Sequence, residues 1–468
     1  MRLLLDLITS LSGEELSKLE SLRLRGKQAS VMHLVTQLRT SGRSATESEI
    51  AGLGLSRSHL YEISSVVLTK CYGLLVPGGG IELLEFLTYK NCSLQFNQEL
   101  RKQRKQYMPG GGAGARSFYF TAFELLNRFT YNLIDTELID EYGKLYESCE
   151  GISAEDSLAI AARKLQTRQA RILSEGKNFT ADRIGVLEEF TALERSAKTS
   201  AHPYLCYWVY SGLAWYWQHL GLRAERTLEY IQLALPYASK LQGYIFRDTA
   251  VEMQLRHADA LFITGDTQRS HETFEKIYAS LRPDHALMRR NYFLFRYLEV
   301  LIYNGRYDKA EQILRTHFEP QFTQHRTTAS ATAATLFAIM YLLSGDFPKA
   351  KEYLDIGMEL NAKINFTLYN EVRNRYVEAA YYYLTGDWDY TLELSNRALQ
   401  YLRSKHIGLH KHPFGYYFKI IESSVSYYSE GEPFWHKFED KYKMLNTPAE
   451  GLFGKLMVKI RQTPKAKK

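Results

Sequence analysis

The chain has 468 residues and a formal net charge of +7, with 45% hydrophobic and 24% charged residues. This composition is ordinary for a folded protein, and only 11 prolines argue against long disordered regions. The charge is small for the length, so it is compatible with an anionic partner without requiring one.

No stretch of the chain predicts a membrane span or a signal peptide. The longest apolar run, LFAIMYLL at 336–343, is far shorter than the roughly 20 residues that cross a bilayer, and Asp6 interrupts the apolar start. The four cysteines form no CxxC pair, so they predict buried thiols in a reducing compartment. We expect a cytoplasmic protein without membrane contact.

The N-terminal region, 1–107, begins with three short amphipathic patterns, LLLDLITSL, SGEELSKLESLRL and VMHLVTQLR. Residues 45–75 then resemble a helix-turn-helix, with a second helix that opens near Arg57. One interpretation places this helix in a major groove of DNA, where Arg57 contacts a guanine or a phosphate. The other is a helical cap on the rest of the chain, because one face of the helix is apolar. Its residues are Leu60, Ile63, Val67, Cys71 and Leu74.

A glycine-rich stretch, MPGGGAGARS at 108–117, follows the basic run RKQRK. No Gly-Lys-Ser/Thr ends it and no buried strand precedes it, which excludes a P-loop. It predicts a flexible linker. Helical patterning resumes at Phe118 and extends to residue 460, and a basic tail follows at 461–468.

The strongest signal is a repeat. Turn glycines Gly265, Gly305, Gly345 and Gly386 are separated by 40, 40 and 41 residues, with Gly221 and Gly431 as outer copies. A small residue stands seven positions before most of these glycines, and a large residue four positions before each. This pattern predicts antiparallel helix pairs joined by a tight turn, in which each pair covers the apolar face of its neighbour. The Asp after the glycine is placed to cap the second helix.

This small–large–Gly-Asp-aromatic–small–large order resembles the tetratricopeptide repeat (TPR) over roughly 200–445, although the spacing here is nearer 40 than 34 residues. Proteins with such enlarged repeats include bacterial regulators as well as scaffolds. The resemblance implies an all-α fold, an α-solenoid whose groove binds a protein or peptide through the first helix of each pair. The implied groove residues are Trp208, Trp215, Tyr292, Phe295, Glu299, Arg373, Tyr376 and Tyr383. Packing between helices is the alternative role for the aromatic ones.

The sequence contains few residue patterns that are typical of a catalytic or metal site. His406, His410 and His412 have partly suitable ligand spacing, but Pro413 indicates a loop and Lys405 and Lys411 would repel a cation. No Ser-His-Asp, GxSxG, HExxH or dinucleotide fingerprint occurs. We therefore expect a non-catalytic scaffold that binds a protein or peptide, without metal or cofactor. The alternatives are a DNA-binding regulator with the repeat array as sensor or dimeriser and, last, a hydrolase or metal site hidden in the groove.

Overall fold

A computed structural model describes residues 2–11, 13–41, 47–90, 92–106, 112–128, 136–174, 180–219, 223–242, 246, 248–281, 291–319, 322, 328–362, 368–404, 417–418, 421, 425 and 451–462. Within these ranges the regular elements are α-helices and no strand occurs. The predicted all-α class is confirmed. No single helix in this part of the chain is long and apolar enough to cross a bilayer, although Ser58–Leu75 and Gly80–Thr88 pass that test together as a pair bent by 101°.

The helices are α1 (Arg2–Ser10), α2 (Gly13–Glu20), α3 (Lys27–Ser41), α4 (Glu47–Gly52), α5 (Arg57–Leu75), α6 (Gly80–Tyr89), α7 (Ser93–Arg104), α8 (Gly112–Arg128), α9 (Thr136–Glu147), α10 (Ala154–Ser174), α11 (Thr180–Thr199), α12 (Pro203–His219), α13 (Ala224–Ala238), α14 (Thr249–Thr264), α15 (Thr267–Ser280), α16 (Asn291–Tyr303), α17 (Tyr307–His317), α18 (Thr328–Ser344), α19 (Phe347–Ala362), α20 (Leu368–Thr385), α21 (Trp388–Ser404) and α22 (Gly451–Gln462).

The chain divides into two compact units, Met1–Gln254 and Leu255–Lys468. The sequence places its boundary at 108–117 instead, but α8 already begins at Gly112, inside that stretch. Glycine disfavours a helix by about 1 kcal/mol relative to alanine, which is why composition predicts a linker there. Burial of Ala115 and Phe118 stabilises the helix despite this local preference.

In the first unit, α5 packs against α1, α2 and α3, and α6 contacts α7 and α8. From α8 onward the helices follow one another in pairs, α8–α9, α10–α11 and α12–α13. In addition, α12 contacts both helices of the preceding pair. Helix pairs therefore extend into residues 118–200, where the repeat pattern of the sequence is weak.

Four helical hairpins follow, α14–α15, α16–α17, α18–α19 and α20–α21, and all of their residues except the start of α14, Thr249–Gln254, lie in the second unit. The second helix of each of the first three hairpins contacts the first helix of the next. The first helices α16, α18 and α20 also contact one another in series. Each hairpin thus covers a face of its neighbour, which is the packing of a helical repeat solenoid.

The turn that joins each hairpin has the same backbone geometry. Gly265, Gly305, Gly345 and Gly386 have φ values of 99°, 72°, 92° and 87°. In the first turn, Asp266 N donates to Leu261 O at 2.9 Å, and the other three turns repeat this six-residue bond. This is a Schellman motif, in which a left-handed residue satisfies the last carbonyls of the helix. The predicted left-handed role of these glycines is confirmed; Gly221 and Gly431 lie outside the described residues.

The predicted cap of the second helix is confirmed at three turns. Oδ1 of Asp266, Asp346 and Asp387 each accepts a hydrogen bond, at 3.2 Å, from the backbone N–H three residues later. The exception is Arg306, whose side chain makes no capping hydrogen bond to α17. These aspartates therefore satisfy free N–H groups at helix starts, which is a structural role.

Candidate functional site

A row of polar side chains runs across the first helices of the second unit, and we call it the charged stripe. It consists of Asp259 on α14, Arg296 and Glu299 on α16, Thr332 on α18 and Arg373 on α20. Hydrogen bonds join Asp259 to Arg296, Arg296 to Glu299 and Arg373 to Thr332. The charge of Arg373 also acts on Glu299. The hairpin stacking positions them, because it brings successive first helices side by side.

Arg296 is at the centre of the stripe. Its Nε donates to Oδ1 of Asp259 at 2.7 Å, and its Nη2 donates to the same oxygen. Its Nη1 donates to Oε2 of Glu299, one turn later on the same helix. Asp259 is 6% exposed, whereas the side chains of Arg296 and Glu299 keep 24% and 27% of their surface open. The stripe is therefore anchored in the core at Asp259 and reaches the surface at Glu299.

Burial raises the pKa of Glu299 above its ordinary value. The charge and hydrogen bond of Arg296 oppose this rise, Asp259 reinforces it, and the charge of Arg373 opposes it. The field of Arg373 thus reaches Glu299 from another hairpin. A partly exposed carboxyl with a raised pKa, between two arginines, can exchange hydrogen bonds with an incoming polar group.

The stripe continues on α18 and α20. Nη2 of Arg373 donates to Oγ1 of Thr332 at 3.3 Å. One turn further along, the buried Oγ1 of Thr335 donates to Oδ1 of Asn374 at 2.8 Å. These bonds between helices orient Arg373, which is half-buried, towards the same side as Thr332.

The charged stripe is continuous with a surface that α22 covers. This helix contacts α16, α18 and α20, which are all first helices. Its residues Leu452, Leu456, Met457 and Ile460 are buried. Its contact points on the three helices are Tyr303, Leu343 and Tyr376, and we call them the α22 seat. On α16 the residues at 296, 299 and 303 lie three and four positions apart, so stripe and seat share one face of that helix.

Polar contacts hold α22 at both ends of its apolar row. Lys455 Nζ donates to Tyr303 O, at the last residue of α16, and Lys459 Nζ donates to Leu343 O near the end of α18, at 2.6 Å. The Tyr376 hydroxyl donates to Phe453 O at 3.0 Å. Carbonyl oxygens at a helix C-terminus lack intrahelical donors and lie at the negative end of the helix dipole. Each lysine supplies a hydrogen-bond donor to such a carbonyl oxygen and places a positive charge at the negative end of the helix dipole.

Three of the predicted groove residues are core residues. Trp208, Tyr376 and Tyr383 are 1%, 0% and 1% exposed, so their side chains are not open to a partner. Trp208 packs against Phe120 and Tyr204, with ring centroids 6.0 and 5.5 Å apart. The groove role expected for these three side chains is corrected to packing between helices.

The remaining predicted groove residues are more open. Glu299 and Arg373 belong to the charged stripe. Phe295 is half-buried and stacks on Phe318 with 4.9 Å between ring centroids. Trp215, half-buried in the first unit, lies 4.8 Å from the ring of His219. Tyr292 is on α16, but its side chain lies outside the described residues.

The segment that resembles a helix-turn-helix forms two helices, α4 and α5. Ser56 caps α5, because its Oγ accepts from His59 N at 3.3 Å. Leu60, Val67 and Cys71 are buried and face the contacts with α1, α2 and α3. The apolar stripe therefore packs within the N-terminal region. The side chain of Arg57 and the cluster 406–412 lie outside the described residues.

A cavity of about 630 Å³ lies in the first unit, lined by residues of α9, α10 and α11. Three of its charged lining residues, Lys164, Arg168 and Glu189, form ion pairs. Arg168 Nη1 is 2.8 Å from Oε1 of Glu189, and Lys164 Nζ is 3.7 Å from Oε1 of Glu147 outside the lining.

Sequence reasoning missed Asp259, Arg296, Thr332 and the whole of α22 as parts of the site. The spacing of Leu452, Leu456 and Ile460 does signal an amphipathic helix. Residues 461 and 462, assigned to the basic tail, are the last residues of that helix.

Comparisons with known proteins add little. No protein-family model and no curated protein matches the chain. Among solved structures, the crystal structure of the apo form of RapI is similar, with 11% sequence identity and a TM-score of 0.46. The match covers 75% of this chain and 98% of that one.

Proposed function

We propose that the chain is a non-catalytic interaction scaffold, and that its second unit binds a protein or peptide segment along the charged stripe. One observation carries the proposal: partly exposed Arg296 and Glu299 on α16 and Arg373 on α20 lie on first helices beside a surface that already holds a helix. Charged groups preorganised by neighbours lose little freedom on binding, which favours recognition of a polar segment.

The geometry suits an extended or helical segment more than a small molecule. The stripe spans four helices, and its donors and acceptors repeat along the row. Arginine forks recognise carboxylates bidentately, whereas a carboxylate such as Glu299 recognises basic or amide groups. A segment with both kinds of side chain matches the stripe. The cytoplasmic location expected from the sequence stays a prediction.

Site-specific photo-crosslinking tests the proposal. A crosslinking amino acid replaces Glu299 in one variant, and Arg397 in the control. The Arg397 side chain, on the second helix α21, is 61% exposed. We expect a protein partner crosslinked from position 299 and absent from position 397. Adding Arg373→Ala should weaken the crosslink several-fold. Equal crosslinks from both positions, or no effect of Arg373→Ala, would contradict the site.

A nuclease treatment before crosslinking separates protein from nucleic-acid partners. A crosslink at position 299 that survives the treatment supports a direct protein contact. Its loss would instead indicate that nucleic acid bridges the two molecules.

A further inference from the structure

The helix α22 is attached to three first helices that lie far from it in sequence. The bond from Lys455 to Tyr303 O joins residues 152 apart, and the bond from Lys459 to Leu343 O joins residues 116 apart. The hairpin helices of the second unit, by contrast, are linked by tight glycine turns. A short helix that crosses several repeats on the face of their first helices has the geometry of a helix bound in a groove.

We propose that α22 is an internal ligand, and that the α22 seat is a docking site for a partner helix of the same chemistry. That chemistry is an apolar face with two basic residues one turn apart. The inference rests on the proposed function, because the seat continues the charged stripe.

The seat selects basic residues at two points. Tyr303 O and Leu343 O lie at or near the C-terminal ends of their helices, where the dipole is negative. A lysine or arginine reaches such an oxygen favourably, whereas a glutamate would place its carboxylate against a carbonyl acceptor. Acidic amphipathic helices are therefore excluded from this seat.

The seat also recognises the helix between those points. Leu456 and Met457 are fully buried against the first helices, so a partner must present large apolar residues there. The Tyr376 hydroxyl, held by a ring stacked on Tyr417 at 4.9 Å, donates to a main-chain carbonyl. A main-chain contact is insensitive to the partner's sequence, so it supports exchange of one helix for another.

The contacts of Lys455 and Lys459 with the carbonyl oxygens are weakened by the loss of water around the ammonium groups. Burial lowers the pKa of both Lys455 and Lys459, which shows that docking removes water from their ammonium groups. This desolvation offsets part of the attraction to the carbonyl oxygens. The same desolvation applies to the lysines of a competing helix, so exchange depends on the competitor's concentration relative to the effective concentration of the tethered α22.

Cleavage of the full chain tests the inference. A protease site is inserted between Asn446 and Thr447, and a fluorescent peptide of residues 450–464 is titrated against uncut and cut protein. We expect the cut protein to bind the peptide at least tenfold more tightly, with release of the native fragment. A peptide with both lysines changed to glutamate should not compete. Equal binding to both forms, or a fragment that excess peptide cannot displace, would overturn the inference.

The intact chain provides a second measurement that does not depend on cleavage. In hydrogen exchange, amides of 452–460 should exchange at least tenfold faster than those in the middle of α18. The full-length variant K455E/K459E should accelerate this exchange further, whereas the control K276E, at an exposed site on α15, should not. Exchange of α22 only together with α18 would show an integral core helix and overturn the inference.

These results remain separable from the scaffold proposal. If the peptide exchanges with α22 but no protein crosslinks from position 299, the internal ligand stands and the partner site fails. If a partner crosslinks from position 299 but the amides of α22 exchange only together with those of α18, the partner site stands and the internal-ligand proposal fails.

Discussion

Arg296 and Asp259 join the first helices of two consecutive hairpins through an ion pair whose carboxylate is nearly buried, with 2.7 Å between Nε and Oδ1. Arg296→Leu should destabilise the second unit by about 3 kcal/mol, because it leaves the carboxylate of Asp259 buried without its partner. The double variant Arg296→Leu/Asp259→Leu should lie within about 1 kcal/mol of the wild type. Urea unfolding of the three proteins measures both effects. Additive losses would show that the two residues are not coupled.

Replacement of glycine by alanine should have opposite effects on stability at a turn glycine, Gly386, and at a glycine within a helix, Gly357. Gly386 has a φ of 87° with no atom within 4 Å of an added Cβ, so Gly386→Ala should cost about 1 kcal/mol through backbone strain alone. Gly357 lies within α19, and its added Cβ would meet Ala334 Cβ at an ordinary 3.6 Å. Gly357→Ala should therefore stabilise by up to about 1 kcal/mol. Chemical denaturation compares them, and a shift of the same sign at both sites would contradict the assignment.

Removing a capping aspartate at one helix and adding one at another should change stability in opposite directions. Asp387→Ala removes the hydrogen bond from Tyr390 N and should destabilise by about 1 kcal/mol. Arg306 occupies the matching position of α17 without a side-chain cap, so Arg306→Asp should stabilise by a similar amount. Thermal unfolding detects both changes. No gain from Arg306→Asp would mean that the turn at Gly305 does not present the N–H groups of α17 in the same way.

Asp156 predicts a loss of stability in acid. Burial alone would raise its pKa, but hydrogen bonds from Ser153 and the charges of Arg116 and His202 outweigh burial and hold the pKa below 3.8. A lowered folded-state pKa stabilises the fold above about pH 3.8, and this contribution is lost as the pH falls through the folded value. Asp156→Asn should remove this part of the acid dependence. Parallel stability curves for the wild type and the variant between about pH 2 and pH 5 would disprove the linkage.

Glu299 should change the free energy of unfolding with pH in the direction opposite to that of Asp156. Its folded-state pKa is raised above 4.5, so its contribution is full below that pH and is lost as the pH rises through the folded value. The variant Glu299→Gln should lack this loss and gain on the wild type as the pH increases above 4.5. Unfolding midpoints measured at several pH values follow the difference. A gain that shrinks with rising pH would contradict the direction.

Local patterns in the sequence predicted the hairpins, their glycine turns and three caps, because these depend on residues within one turn of each other. These patterns did not distinguish residues of the exposed site from residues that are buried in the core. Arg373 and Tyr376 lie three residues apart on one helix face, yet Arg373 is half-exposed and Tyr376 is buried. The difference arises because α22 and Tyr417 cover Tyr376. Contacts across such sequence distances leave no periodic signal.

The long reach of α22 also has a consequence during synthesis. A ribosome that adds about 5–20 residues per second needs roughly 8–30 seconds to pass from Tyr303 to Lys455, which are 152 residues apart. During that interval α18 and α20 are synthesised, and the face that they share with α16 has no α22 to cover it. A newly made chain therefore meets its surroundings in the uncovered form before the finished chain closes over itself.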